Sequence, residues 1–318
     1  MCRAIRGERI ECLVLDEDGA AQARAAIVGT EFGVHRVEFG DVWLRDTGPV
    51  TVFDSGGRCA ALSFHFNGWG GKYRLDGDAD VAAKVAALQG LPLRAVDLVC
   101  EGGAIESDGE GTLLTTRQCL LNDNRNPGLG EYELEALFAA ELGAEKVVWL
   151  DRGLANDHTD GHVDTLARFV APAKVLCMQA EDTSDPNREA LQRVVRDLER
   201  ASDARGRRFE VRRIPSPGRV VDRDGSLMPA SYLNFYIANG SVVVPVYGCE
   251  YDAEAVRGIA ECFPGRTVVG LSARSILTGG GAFHCITQQE VCSKTATDGE
   301  NAPAYVTTTG ADEDESDE

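Results

Sequence analysis

Residues 131–164 read EYELEALFAAELGAEKVVWLDRGLANDHTDGHVD. Over 131–142, Leu134, Leu137, Phe138 and Leu142 fall on one helical stripe, and Gly143 follows as a stop, so this stretch is expected to be a helix. Lys146 to Leu150 then form a short apolar run with the character of a strand. A polar, glycine-containing segment comes next, with His158, Asp160, His162 and Asp164 crowded into it.

Working outward, the same order recurs. Helical spacing appears over 20–28 and 78–89. It returns after Asp185-Pro186, with Leu191, Val194, Val195 and Leu198, and after Asp252, with Val256, Ile259, Ala260 and Phe263. Strand-like runs follow at 34–39, 93–99, 209–214 and 266–271, and further ones lie at 50–53, 112–116 and 242–247. Between them stand polar segments: Trp43-Leu44-Arg45-Asp46, Glu101-Gly102-Gly103, the segment 158–164, residues 232–240 and residues 279–289. The unit is helix, strand, polar turn, strand, repeated about five times at intervals of about 50 to 65 residues. A closed ring of such units would bring the polar segments together near one axis. An open doubly wound sheet would gather them at one edge. No G-x-G-x-x-G opens a helix after a strand, so nothing supports dinucleotide binding.

The chain has 318 residues, with 51 acids against 32 bases and a net charge of −19. Such a chain repels nucleic acid and suits a cationic ligand. No run approaches the roughly 18 apolar residues of a membrane span, and no signal peptide is visible. The ten cysteines contain no C-x-x-C pair, which argues against a thiolate zinc site and for a reducing, cytoplasmic setting. One catalytic domain is expected over 1–300. The acid-rich stretch 301–318 is read as a disordered tail.

Four segments carry chemistry. Gly161-His162-Val163-Asp164, read as a strand, would project an imidazole and a carboxylate from one face. Trp43 to Pro49 places Asp46 in a turn. Glu101 closes an apolar run, and the glycines after it permit close backbone approach. Cys285 follows Gly279-Gly280-Gly281-Ala282-Phe283-His284. On a strand His284 would point away from Cys285, which makes His162 the candidate base. A thiol with a histidine suggests a thiol protease or amidase. The surplus of carboxylates points instead to a planar cation, since a guanidinium offers five N–H donors that acids bind in forked pairs.

Together, Trp-x-Arg-Asp-x-Gly-Pro (43–49), Glu-Gly-Gly (101–103), Asp-Gly-His-Val-Asp (160–164) and Gly-Gly-Gly-x-x-His-Cys-Ile-Thr-Gln-Gln (279–289) resemble the agmatine deiminase and bacterial-type peptidylarginine deiminase family. So do 66–72, 113–116, 120–127 and 229–234. The resemblance runs from about residue 3 to 290. It implies a five-bladed α/β propeller, the pentein fold, and hydrolytic deimination of a small guanidine without metal or cofactor. Agmatine is the first candidate substrate. Free or peptidyl arginine, amidino transfer, and a non-catalytic cation-binding module are the alternatives. It implies Cys285 as nucleophile, His162 as general acid and base, Glu101 orienting His162, and Asp46 and Asp164 clamping the guanidinium. Trp43, His158 and Gly280 are implied to line the pocket. His158 stands where amine-binding members often carry an acid. Family members usually begin with a further strand bearing Trp-Met-x-Trp-Pro, absent here, so one blade is expected to be incomplete or a pocket wall missing. A homodimer is a family expectation.

Overall fold

A computed structural model describes residues 1–291. The acidic stretch read as a tail lies outside them. The described chain is α/β and holds five small separate sheets. The open doubly wound sheet is thereby excluded.

The first sheet pairs β1 (Ile10–Val14) in parallel with β2 (Phe32–Arg36). The other four have three strands each and one shared plan. They are β3 (Val50–Phe53), β4 (Cys59–His65) and β5 (Leu93–Val99); β6 (Glu106–Ser107), β7 (Thr112–Thr116) and β8 (Lys146–Leu150); β9 (Ala167–Ala171), β10 (Lys174–Gln179) and β11 (Glu210–Pro215); and β12 (Tyr236–Ile237), β13 (Ser241–Val246) and β14 (Thr267–Ser272). In each, the first strand runs antiparallel to the middle one, and the third runs parallel to it.

A parallel pair needs a crossover. Helices supply all five: α1 (Glu17–Ala26), α2 (Val81–Gln89), α3 (Glu131–Leu142), α4 (Arg188–Arg200) and α5 (Asp252–Cys262). Their ends follow local chemistry. The Asp16 carboxylate accepts from the Gly19 N–H at 2.8 Å and caps α1. Gly143, at φ +65°, lets the chain leave α3 in the left-handed region. The stripe of Leu191, Val194, Val195 and Leu198 buries α4 against a core shared with β10 and β13. A second core joins Leu62, Leu114's neighbour Leu113, Leu134 and Phe138. No helix among the described residues is long and apolar enough to cross a membrane.

The chain start docks on the fifth sheet. Arg6 N–H donates to Ser241 Oγ (3.0 Å), and the Glu8 carboxylate accepts from Tyr236 O–H and Asn239 N–H (2.9 Å each).

The expected strand through His162 and Asp164 is not formed. His162 has φ −55° and ψ 138°, and Val163–Thr165 make a single 3-10 turn. Residues 43–47 are likewise a short helical turn, with Trp43 at its N-cap. Residues 281–286 are a run of turns, not a strand, which changes the direction of His284.

Candidate active site

The sheets are joined by four connections, and each delivers polar side chains to one buried place. The β2–β3 connection brings Trp43 and Asp46, β5–β6 brings Glu101 and Gly103, β8–β9 brings His162 and Asp164, and β11–β12 brings Asn234. The segment after β14 adds Gly280, His284 and Cys285. Asp46, Glu101, His162, Asp164 and Cys285 are all buried.

Gly103 marks the meeting point. A Cβ placed there would stand 2.5 Å from His162 Nδ1, 2.9 Å from Asp46 Oδ1 and 3.2 Å from Asp164 Oδ2, so only glycine leaves the three groups where they are. Asp46 is fixed from both sides. Its Oδ1 accepts from Gly103 N–H and its Oδ2 from Trp69 Nε1–H, each at 2.9 Å. His162 stands between carboxylates, with Nδ1 3.7 Å from Asp46 Oδ1 and Nε2 3.8 Å from Glu101 Oε2. Behind Glu101, Arg125 Nε lies 3.0 Å from both carboxylate oxygens.

Cys285 Sγ lies 3.6 Å from Asp164 Oδ2 and receives the Asn234 Nδ2 amide at 3.1 Å. Asp164 Oδ2 also accepts from that amide (3.0 Å) and meets His284 Nδ1 at 2.7 Å. His284 therefore faces the site, against the expectation that it points away, because the glycine-rich turns rotate it there. Asn234 Oδ1 in turn accepts the backbone N–H groups of Ala282, His284 and Cys285. Buried Arg45 pins the same segment from the other side. Its backbone N–H donates to Cys285 O (3.0 Å), and its guanidinium donates to Gln288 and Gln289.

The Trp43 ring lies on the glycine run. A Cβ on Gly279 or Gly281 would come within 2.7 or 2.6 Å of it. Gly280, at φ +103°, faces the exposed His158. The His158 ring stacks on Tyr73 at 5.8 Å and makes a 3.0 Å hydrogen bond with its hydroxyl. His158 thus stands at the rim, outside the buried group.

The electrostatics follow from burial and crowding of like charge. Burial, then Asp164 and Asp46, push the Cys285 thiol well up, while Asn234 opposes them. Burial and Asp46 raise Asp164 to about 7. Burial and Glu101 also raise Asp46. Burial works against a charged His162, yet Asp46 above all, with Cys119 and Glu101, holds its imidazolium well above the ordinary range. For Glu101 burial is likewise outweighed, by His162 and Arg125, and its carboxyl is lowered. Cys285, Asp46 and Asp164 are thus disfavoured as anions in the free site, and an entering cation relieves that. Three buried polar atoms, His162 Nδ1, His162 Nε2 and Asp164 Oδ1, have no hydrogen-bond partner among the described residues.

Trp69, Arg125 and Asn234 lie in stretches that carry the resemblance, with no role of their own expected there, and Cys119 lies in none of them. Asn234 sits in the fourth polar segment, and its place in the repeat is the signal that could have found it. Trp69, Cys119 and Arg125 follow the middle strands β4 and β7 and act on or beside site residues from behind. Periodicity does not mark such positions.

A buried thiol, an imidazole and three carboxylates are gathered by the connections of five small sheets, the groups of a hydrolase acting on a guanidine. Residues 1–290 match the sequence profile of Porphyromonas-type peptidyl-arginine deiminase, and the chain belongs to that family. It is 42% identical over 294 residues to an agmatine deiminase of Stutzerimonas stutzeri, covering 84% of this chain and 79% of that protein. An agmatine deiminase of Pseudomonas aeruginosa is 39% identical over 297 residues, covering 86% and 81%. Among solved structures, the agmatine deiminase of Enterococcus faecalis superposes with a TM-score of 0.83 at 34% identity, covering 88% of this chain and 82% of that one. A substrate-bound C. jejuni agmatine deiminase superposes at 0.81 with 27% identity, covering 90% and 83%.

Proposed function

We propose that the chain hydrolyses agmatine to N-carbamoylputrescine and ammonia. The observation that carries this is the unpartnered buried oxygen Asp164 Oδ1, on the carboxylate whose other oxygen lies 3.6 Å from the Cys285 sulfur. That oxygen can accept an N–H of a flat cation held against the sulfur. The relatives' shared name supplies the choice of agmatine among guanidines.

In this reading Asp46 and Asp164 accept the guanidinium N–H groups and hold its carbon toward Sγ. The Trp43 ring and Gly280 wall the pocket, and His158 lies at its mouth. Entry of the cation offsets the two carboxylates that hold the thiol protonated, so the thiol releases its proton to solvent, and the Asn234 amide stabilises the thiolate that results. Sγ adds to the guanidinium carbon. His162, kept protonated by Asp46 and Glu101, gives its proton to the departing nitrogen, and ammonia leaves as the C–N bond breaks. A thiouronium on Cys285 remains. His162, now neutral, takes a proton from water as it attacks. The C–S bond then breaks, the remaining hydroxyl proton passes to the departing sulfur, and the ureido product leaves with the thiol restored and His162 again protonated. No residue changes oxidation state.

The reading includes one catalytic unit over 1–300 with its five sheets closed into a five-bladed propeller. The shared plan of the sheets and the docking of the chain start on the fifth sheet support that closure. A cytoplasmic setting and a homodimer belong to the same reading and rest on the family alone.

Ammonia release from agmatine, arginine and a short arginine peptide, measured side by side, tests it. Agmatine should give the highest kcat/KM, and Cys285→Ser should lower it at least about a thousandfold. Undiminished release by that variant would refute the covalent route, and preference for arginine would move the substrate.

A further inference from the structure

Cys119 takes no part in the chemistry above, yet its thiol lies against the histidine that does. Sγ of Cys119, a carboxylate oxygen of Glu101 and a ring nitrogen of His162 all lie within 4.8 Å of one another, and all three residues are buried. They come from three segments, the turn after β7, the end of β5 and the β8–β9 connection. The ring nitrogens are without hydrogen-bond partners, and Nε2 is 3.8 Å from Glu101 Oε2. Thr116 Oγ1 accepts from Cys119 N–H at 3.2 Å and fixes the base of the turn that carries the thiol.

One sulfur, one nitrogen and one carboxylate oxygen make the kind of mixed three-ligand set that zinc accepts, with a fourth position open to water. At zinc's usual bond lengths, neighbouring ligands sit about 3.4 to 3.6 Å apart in a tetrahedron. The Nε2 to Oε2 spacing is within a few tenths of that. A thiolate in the set selects zinc or cadmium over magnesium and calcium, which demand oxygen. Arg125 keeps Glu101 ionised while leaving lone pairs on both oxygens. Asp46, 3.7 Å from His162 Nδ1, offsets the charge that Arg125 brings.

We infer that Glu101, Cys119 and His162 form a zinc-binding site, and that zinc held there arrests hydrolysis. Binding forms S–Zn, N–Zn and O–Zn bonds in place of bonds from zinc to its hydration water, and releases two protons, one from the Cys119 thiol and one from the His162 imidazolium. Nothing is oxidised or reduced. The arrest rests on the role given above to His162, whose lone pair the metal takes. The binding does not.

The experiment separates the two. Zinc sulfate is titrated against the Cys285→Ala protein, which lacks the nucleophile's sulfur, with a chromophoric indicator competing for the metal. One equivalent should bind, and adding Cys119→Ser should weaken it at least about tenfold. Cobalt(II) should give a thiolate-to-cobalt charge-transfer band in Cys285→Ala that both Cys119→Ser and Cys119→Ala abolish. This second variant and readout keep the test open if the serine misfolds. In turnover, zinc should inhibit the wild type reversibly by chelator, and Cys119→Ser should need correspondingly more zinc. Zinc affinity unchanged by Cys119→Ser, or lost with Cys285→Ala, overturns the site. Zinc bound through Cys119 with turnover unaffected overturns the arrest and counts against His162 as the acid and base, leaving the site standing.

Discussion

Asn234 spends its whole amide on the nucleophile segment: Nδ2 donates to Cys285 Sγ and to Asp164, and Oδ1 takes three backbone N–H groups. Removing it strips the thiolate of its one side-chain donor and frees the segment. Asn234→Ala should lower kcat/KM by about a hundredfold to a thousandfold, the cost of losing one preorganised donor to developing negative charge. The pH profile of Cys285 alkylation should move to higher pH. An unmoved profile would show that the amide only supports the backbone. Asp164 is the opposite case, a group kept at a cost to the fold. Its folded value of about 7 lies above the ordinary 3.8. The stability it contributes is therefore full below about pH 4 and is lost as pH rises through about 7. Asp164→Asn should abolish measurable turnover yet melt at pH 8 no lower than the wild type. It should also show a smaller fall in Tm between pH 5 and pH 8. Calorimetry at both pH values checks this.

At the scale of elements, what could be read in the sequence depended on what decides each element locally. Strands β3, β5, β7 and β8 lie at the expected bounds, because apolar runs between turn signals define them, and α3 likewise spans 131–142. The strands β6 and β12, two residues each, carry no pattern and are held by their neighbours. His162 and Asp164 do enter one place, but through a 3-10 turn, where spacing alone could not choose between a strand face and a turn. His284 was misdirected for the same reason. The recurring polar segments do meet at one buried place; Trp69 and Arg125, which back it, lie in the stretches 66–72 and 120–127 that carry the resemblance, whereas Cys119 lies in no such stretch. Gly103 tests the close packing of these turns. Gly103→Ala drives a methyl into His162 and Asp46, and should cost at least about a hundredfold in kcat/KM, since an ångström of misplacement is that expensive. Tm should fall by only a few degrees. Ammonia release and thermal unfolding on one preparation distinguish displaced chemistry from a broken fold.

For the whole molecule, the docking of the chain start on the last sheet is a long-range tie. Glu8 receives two hydrogen bonds from a strand and turn more than two hundred residues away, at separations of 228 and 231. Glu8→Ala should lower the unfolding free energy by about 1.5 to 3 kcal/mol, the range for a hydrogen bond to a charged group. The activity of the folded fraction should stay within about twofold. Urea unfolding followed by fluorescence measures the first, and turnover per active thiol the second.

The convergence of one connection from each sheet on a single pocket also has a consequence for synthesis. The sulfur and Asp164 stand 121 residues apart in the chain. On the proposed route, a polypeptide still on the ribosome and short of residue 285 has the cradle and no nucleophile, so turnover cannot begin until that residue has been made and has left the ribosome. Refolding obeys the same rule: ammonia production times the arrival of the Cys285 segment, and no fragment that lacks one of the converging connections can stand in for the whole.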